Sequence, residues 1–167
     1  MKLVFRTYKT KRTAMVDSQS VETIPAYNAM TVELVRVDDA FHFEATGTSG
    51  VALHIDGATD IGGHNLGARP MEMLLMGLAS CSAIDVVLIL NKQKQVIDDF
   101  RMSVEGLREN GAIPNPFQKI HITYKLTGTL DPARVKRAVD LSMDKYCSAT
   151  AQLRPTATIT YSIEITN

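Results

Sequence analysis

Residues 70–90 read PMEMLLMGLASCSAIDVVLIL, and the rest of the chain can be arranged around them. Pro70 suits a first helical turn, where its missing N–H is no loss. The run that follows is apolar on almost every side, interrupted by Glu72, Gly77, Ser80, Cys81, Ser82 and Asp85. A stretch this long could span a bilayer, but Asp85 near its centre would cost ~2.5–3.5 kcal/mol there. A core helix is therefore expected, and Asn91 to Gln95 make its polar exit. A helix apolar all round must be covered all round. One sheet covers about half of it, so the spacing predicts a homodimer with this helix at or near the interface. Each large apolar side chain buried there contributes ~1.5–3 kcal/mol.

Working outward, Thr31 to Val37, Phe41 to Ala45 and Val51 to Ile55 alternate as strands, separated by Asp38-Asp39 and ended by Asp56-Gly57. Gly62, Gly63 and Gly67 mark a loop before the helix. Beyond it, Phe100, Met102 and Val104 alternate, as do Ile120, Ile122, Tyr124 and Leu126, and finally Ile159, Tyr161, Ile163 and Ile165. Asp131-Pro132 opens a second helix with an N-cap and a first-turn proline. Val135, Ala138, Val139, Ser142, Met143 and Tyr146 form its inner stripe. The order β-β-β-α-β-β-α-β predicts an α+β chain: mostly antiparallel sheet, a buried central helix and an amphipathic second helix. Residues 1–29 lack a sustained period and read as an N-terminal arm, or as a start placed too far upstream. Residues 30–167 read as the folded domain.

Composition excludes several functions. Hydrophobic residues are 45% and charged residues 22% of 167, ordinary for a folded protein. Eighteen Lys+Arg balance eighteen Asp+Glu, so no net field favours nucleic acid or a membrane surface. There is no apolar stretch near the N-terminus long enough for a secretory signal, and a cytoplasmic location is expected. Two cysteines make no structural framework; they are free thiols or one functional pair. His42, His54, His64 and His121 show no ligand spacing, so no metal site is expected. Gly62, Gly63 and Gly67 match no nucleotide loop.

Cys81 has Gly77 four residues before it and Asp85 four after, on nearly the same face. Free cysteine often only packs. A reactive thiol needs a cation, a metal or a helix N-terminus. Cys81 lies too deep in its helix for the terminal dipole, and Asp85 opposes ionisation. The functional reading therefore requires a nearby arginine: Arg36, Arg69, Arg101 or Arg154.

The segment Arg69 to Asp85 resembles the central-helix motif of the OsmC/Ohr family, and Lys145-Tyr146-Cys147-Ser148 is similar to that family's second cysteine motif. The resemblance runs from Met30 to the C-terminus. It implies an intertwined α+β homodimer acting as a thiol peroxidase on organic hydroperoxides, with no metal, flavin or haem. Cys81 would be the peroxidatic thiol and Cys147 the resolving one, forming a sulfenic acid and then a disulfide. A dithiol, with lipoyl-type dithiols among the candidates, would restore both. Met73, Met76 and Gly77 would belong to the pocket. Two features depart from the family. The glutamate expected ten residues before the first cysteine is Met71 here; Glu72 is adjacent, but nine residues at 100° each place it opposite Cys81. The turn expected to carry the activating arginine reads Val37-Asp38-Asp39-Ala40, with Arg36 beside it. The rival reading is a non-catalytic dimer that holds a small apolar ligand, its cysteines inert or redox-sensing.

Overall fold

A computed structural model describes residues 27–166. The chain divides into Met1–Thr31 and Val32–Asn167. Most of the expected N-terminal arm lies outside the described residues, and the account below concerns the second unit.

Alternation produces six strands in two sheets. The first sheet has the order β1 (Val32–Arg36), β2 (Phe43–Gly47), β3 (Ala52–Ile55), with both pairings antiparallel. The second has the order β4 (Asp99–Arg108), β5 (Phe117–Thr127), β6 (Thr158–Thr166). Here β4 pairs antiparallel with β5, but β5 pairs parallel with β6. A parallel neighbour needs a crossover of a dozen or more residues, usually helical. The segment between β5 and β6 supplies it as α2 (Pro132–Leu141), a wide π-turn (Ser142–Tyr146) and α3 (Ser148–Leu153).

Helix α1 (Pro70–Lys92) joins the two sheets in sequence. Arg69 donates its backbone N–H to Glu72 Oε2 at 2.9 Å, closing the first turn. The preceding loop is organised by the buried Asp56, whose carboxylate accepts backbone N–H groups from Gly57, His64 and Leu66. Those bonds, that of Leu66 foremost, hold the Asp56 carboxyl below its ordinary range.

The core lies between the second sheet and the helices. Leu78, Val86 and Leu90 of α1 meet Ile120, Ile122, Tyr124 and Leu126 of β5 and Val135, Ala138, Val139 and Met143 of the crossover. Leu78, Ser82, Val86 and Leu90 trace the one fully buried line on α1. The opposite half of the helix, including Leu74, Met76, Ile84 and Leu88, is exposed in the single chain. By length and composition α1 would also pass as a membrane span. Its buried line against β5 and α2 makes it the core helix of this fold.

Candidate functional site

The two cysteines are carried by separate elements, and α1 and the crossover bring them together. Cys81 sits mid-way along α1 and is partly exposed, while Cys147 is buried at the start of α3. Their sulfurs and a carboxylate oxygen of Asp85 all lie within 4.8 Å of one another. Both sulfurs are free thiols.

The π-turn accounts for the placement of Cys147. Residues five apart on an α-helix point about 140° away from each other. Here Cys147 donates its N–H to Ser142 O at 2.8 Å, an i→i−5 bond that stacks the two residues on one side. Both then face α1. Tyr146, expected on the inner stripe, is turned out and half exposed as a result. Cys147 Sγ in turn accepts the N–H of Thr150 at 3.4 Å. Burial pushes the Cys147 thiol up in pKa; the hydrogen bonds from Thr150 oppose the shift, and the adjacent Cys81 adds to it.

A buried polar chain runs up to the same spot. Tyr124 OH lies 2.5 Å from Ser82 Oγ, and Ser82 Oγ lies 2.9 Å from Ser142 Oγ. Ser142 Oγ donates to Asp85 Oδ2 at 3.1 Å. Tyr124 OH also reaches Met143 Sδ at 3.4 Å. Burial pushes the Tyr124 hydroxyl up to about 12, so it stays protonated. The chain fixes the Asp85 carboxylate from the inside. Sequence reading missed Tyr124, Ser142 and Thr150 as site residues. The available signal was Ser142 itself, a polar residue on the apolar stripe of α2 with no reason to be there unless it bonds something.

The expected supporting residues are placed elsewhere. Arg36 spends its guanidinium on the carbonyls of Asp39 and Ala40, closing the β1–β2 turn. Arg69 donates to Asp56 O, Gly67 O and Asn65 Oδ1. Arg101 pairs with Asp99, and Arg154 with Asp144. Glu72 is tied to the start of α1. Each arginine engages carbonyls or acids between two and thirteen residues away, a competition that sequence spacing does not reveal. Among the described residues, no cation is paired with Asp85.

Of the expected pocket residues, Gly77 faces open space, with nothing within 4 Å of where a Cβ would stand. Met76 lines a groove of about 280 Å³ with Leu75, Ala79, Met102 and Val104. Met73 is partly exposed. A second groove of about 400 Å³ begins at Asp85 and is lined by Leu88, Ile89, Lys92, Leu141 and Tyr146. The histidines find local partners: His42 with His54, His64 with Asp38, and His121 with Thr160 and Ser162.

A free dithiol between a long central helix and a helical crossover, on two three-stranded sheets, defines a class of protein. The chain belongs to the OsmC-like family, whose family model, described as OsmC-like protein, matches residues 63–162. Among individual relatives, it is 44% identical over 97 residues to Protein YhfA of Escherichia coli (strain K12), covering 58% of this chain and 72% of that protein. A hypothetical protein from Aquifex aeolicus VF5 shares the fold with a TM-score of 0.70 at 29% identity, over 84% of this chain and 100% of that one. The organic hydroperoxide resistance protein OsmC from Legionella pneumophila shares the fold with a TM-score of 0.63 at 17% identity, over 84% and 99% of the two chains.

Proposed function

We propose that this protein is a two-cysteine thiol peroxidase for organic hydroperoxides, with Cys81 attacking and Cys147 resolving. The observation that carries this reading is the approach of the two sulfurs, within 4.8 Å of each other across 66 residues of sequence. Membership of a family that includes organic hydroperoxide resistance proteins supports it.

Cys81 is the attacking sulfur because it is the accessible one, beside the open space over Gly77. Its thiolate attacks the terminal peroxide oxygen; the O–O bond breaks, leaving Cys81 as a sulfenic acid and releasing an alcohol once the alkoxide takes a proton. Cys147 then attacks the Cys81 sulfur, the S–O bond breaks, and water leaves as the disulfide forms. Asp85 lies beside both sulfurs, with Ser142 Oγ donating to its Oδ2. An external dithiol, such as a lipoyl-type one, reduces the disulfide by exchange. A cytoplasmic setting, which keeps thiols reduced, suits this cycle.

The working form in this reading is a homodimer, supported by the exposed apolar half of α1. The test is turnover of cumene hydroperoxide with a dithiol reductant. Cys81→Ser is expected to abolish it. Cys147→Ser is expected to stop turnover after one round and leave a sulfenic acid that dimedone labels. Turnover that survives Cys81→Ser would end this proposal.

A further inference from the structure

Asp85 is the group the redox reading explains least. A carboxylate beside a thiol opposes the thiolate, and the four arginines that might offset it are engaged elsewhere. Two sulfurs and a fixed carboxylate are, however, a ligand set. Tetrahedral zinc takes thiolate sulfur at ~2.3 Å and carboxylate oxygen at ~2.0–2.2 Å, which puts neighbouring ligand atoms about 3.6–3.8 Å apart. The three ligand atoms here lie within 4.8 Å of one another, so small side-chain adjustments close the site. We propose that Cys81, Asp85 and Cys147 bind one Zn2+, with the fourth position left to water.

The surroundings carry the features that hold metal ligands in place. Ser142 Oγ donates to Asp85 Oδ2 and is itself held by Ser82 and Tyr124 inside the core. Thr150 N–H points at Cys147 Sγ. Partners of this kind orient ligands and tune a metal site. Two thiolates select a borderline-soft ion over Mg2+ or Ca2+, which prefer all-oxygen sets. Spacing in the sequence concealed this set, because Cys147 stands far from the other two and no histidine takes part.

The binding claim is independent of peroxidase activity; its consequence for activity rests on the thiol peroxidase reading. Zinc would occupy both sulfurs, so the loaded protein is the protected form and the free dithiol the reactive one. Peroxide that converts the pair to a disulfide removes two ligands and releases the ion.

The experiment is titration of the reduced full-length chain with Zn2+ against a chelating indicator, alongside Co2+ as a spectroscopic probe. The expected result is one ion per chain, with thiolate-to-cobalt charge transfer in the near ultraviolet and tetrahedral d–d bands in the visible. Cys147→Ser should lose the charge-transfer band's full intensity and most of the affinity. Ser142→Ala should weaken zinc by about 10-fold, and Asp85→Asn by more, with each variant first shown to be folded by circular dichroism. Absence of the cobalt bands, or Zn2+ affinity equal in wild type, Asp85→Asn and Cys147→Ser, overturns the site. A chain that binds zinc but forms no disulfide with peroxide keeps the site and loses the peroxidase reading; the reverse result keeps the peroxidase and loses the site.

Discussion

The second sheet and the first are written in similar alternating sequence, yet they end in opposite environments. In the second, Ile120, Ile122, Tyr124 and Leu126 of β5 are buried under α1 and α2, while Lys119, His121, Thr123 and Lys125 face the other way. In the first, Ala45 is the only buried apolar residue of the three strands; Val32 is 71% exposed, and Leu34, Val35 and Leu53 are also open. The same division runs along α1, buried on Leu78, Val86 and Leu90 and open on Leu74, Ile84 and Leu88. Among the described residues, the chain thus completes the core under its second sheet and leaves apolar side chains of the first sheet and of one face of α1 exposed. Large apolar patches mark interaction surfaces. A second copy of the chain is the partner we propose for this face.

The largest effect should come from the completed half. Leu78→Ala empties a fully buried position and is expected to cost about 2–5 kcal/mol in urea unfolding. The open half sharpens the contrast. Ile84→Glu on the uncovered face should convert a dimer to a monomer in sedimentation equilibrium and abolish the dependence of stability on chain concentration that a dimer shows. If that face is bare in solution, the change would stay within about 0.5 kcal/mol and the mass would not move. Tyr124→Phe probes the polar seam of the covered half. It removes one partner of Ser82 and is expected to cost about 1–3 kcal/mol while leaving oligomeric state unchanged.

The smallest effect concerns the loop between the halves. Asp56 has its carboxyl held below the ordinary value by backbone N–H groups. Its contribution is therefore fully present above the unfolded carboxyl range and is lost as pH falls through the lowered folded value. Asp56→Asn should flatten that acid limb. NMR titration of the carboxyl should show a midpoint below the ordinary aspartate value of about 3.9. A midpoint at or above that value would contradict the assignment.

Much of this arrangement was legible. Period-two alternation found the six strands of the described residues, and Pro70 and Asp131-Pro132 marked the starts of α1 and α2, while the short α3 was not foreseen. The two cysteine segments pointed to one site. Other features depended on choices made between distant segments. β6 could have joined either edge of its sheet in either direction, and only the packing of the crossover makes it parallel to β5. The π-turn depends on one five-residue hydrogen bond, and it exchanges Tyr146 for Cys147 on the inner side. Asp56, read as the end of a strand, is a buried anchor because three backbone N–H groups converge on it. In the single chain Arg36, Arg69, Arg101 and Arg154 each engage other carbonyls or acids, at separations from two to thirteen residues that sequence spacing does not single out.

The most direct measurement adds one equivalent of cumene hydroperoxide to the reduced, metal-free protein and reads its intact mass. Loss of two hydrogens, with Cys81 and Cys147 recovered as one linked peptide pair after digestion, is the result expected of sulfurs this close. An unchanged mass, or oxygen added to methionines with both thiols still free, would contradict it.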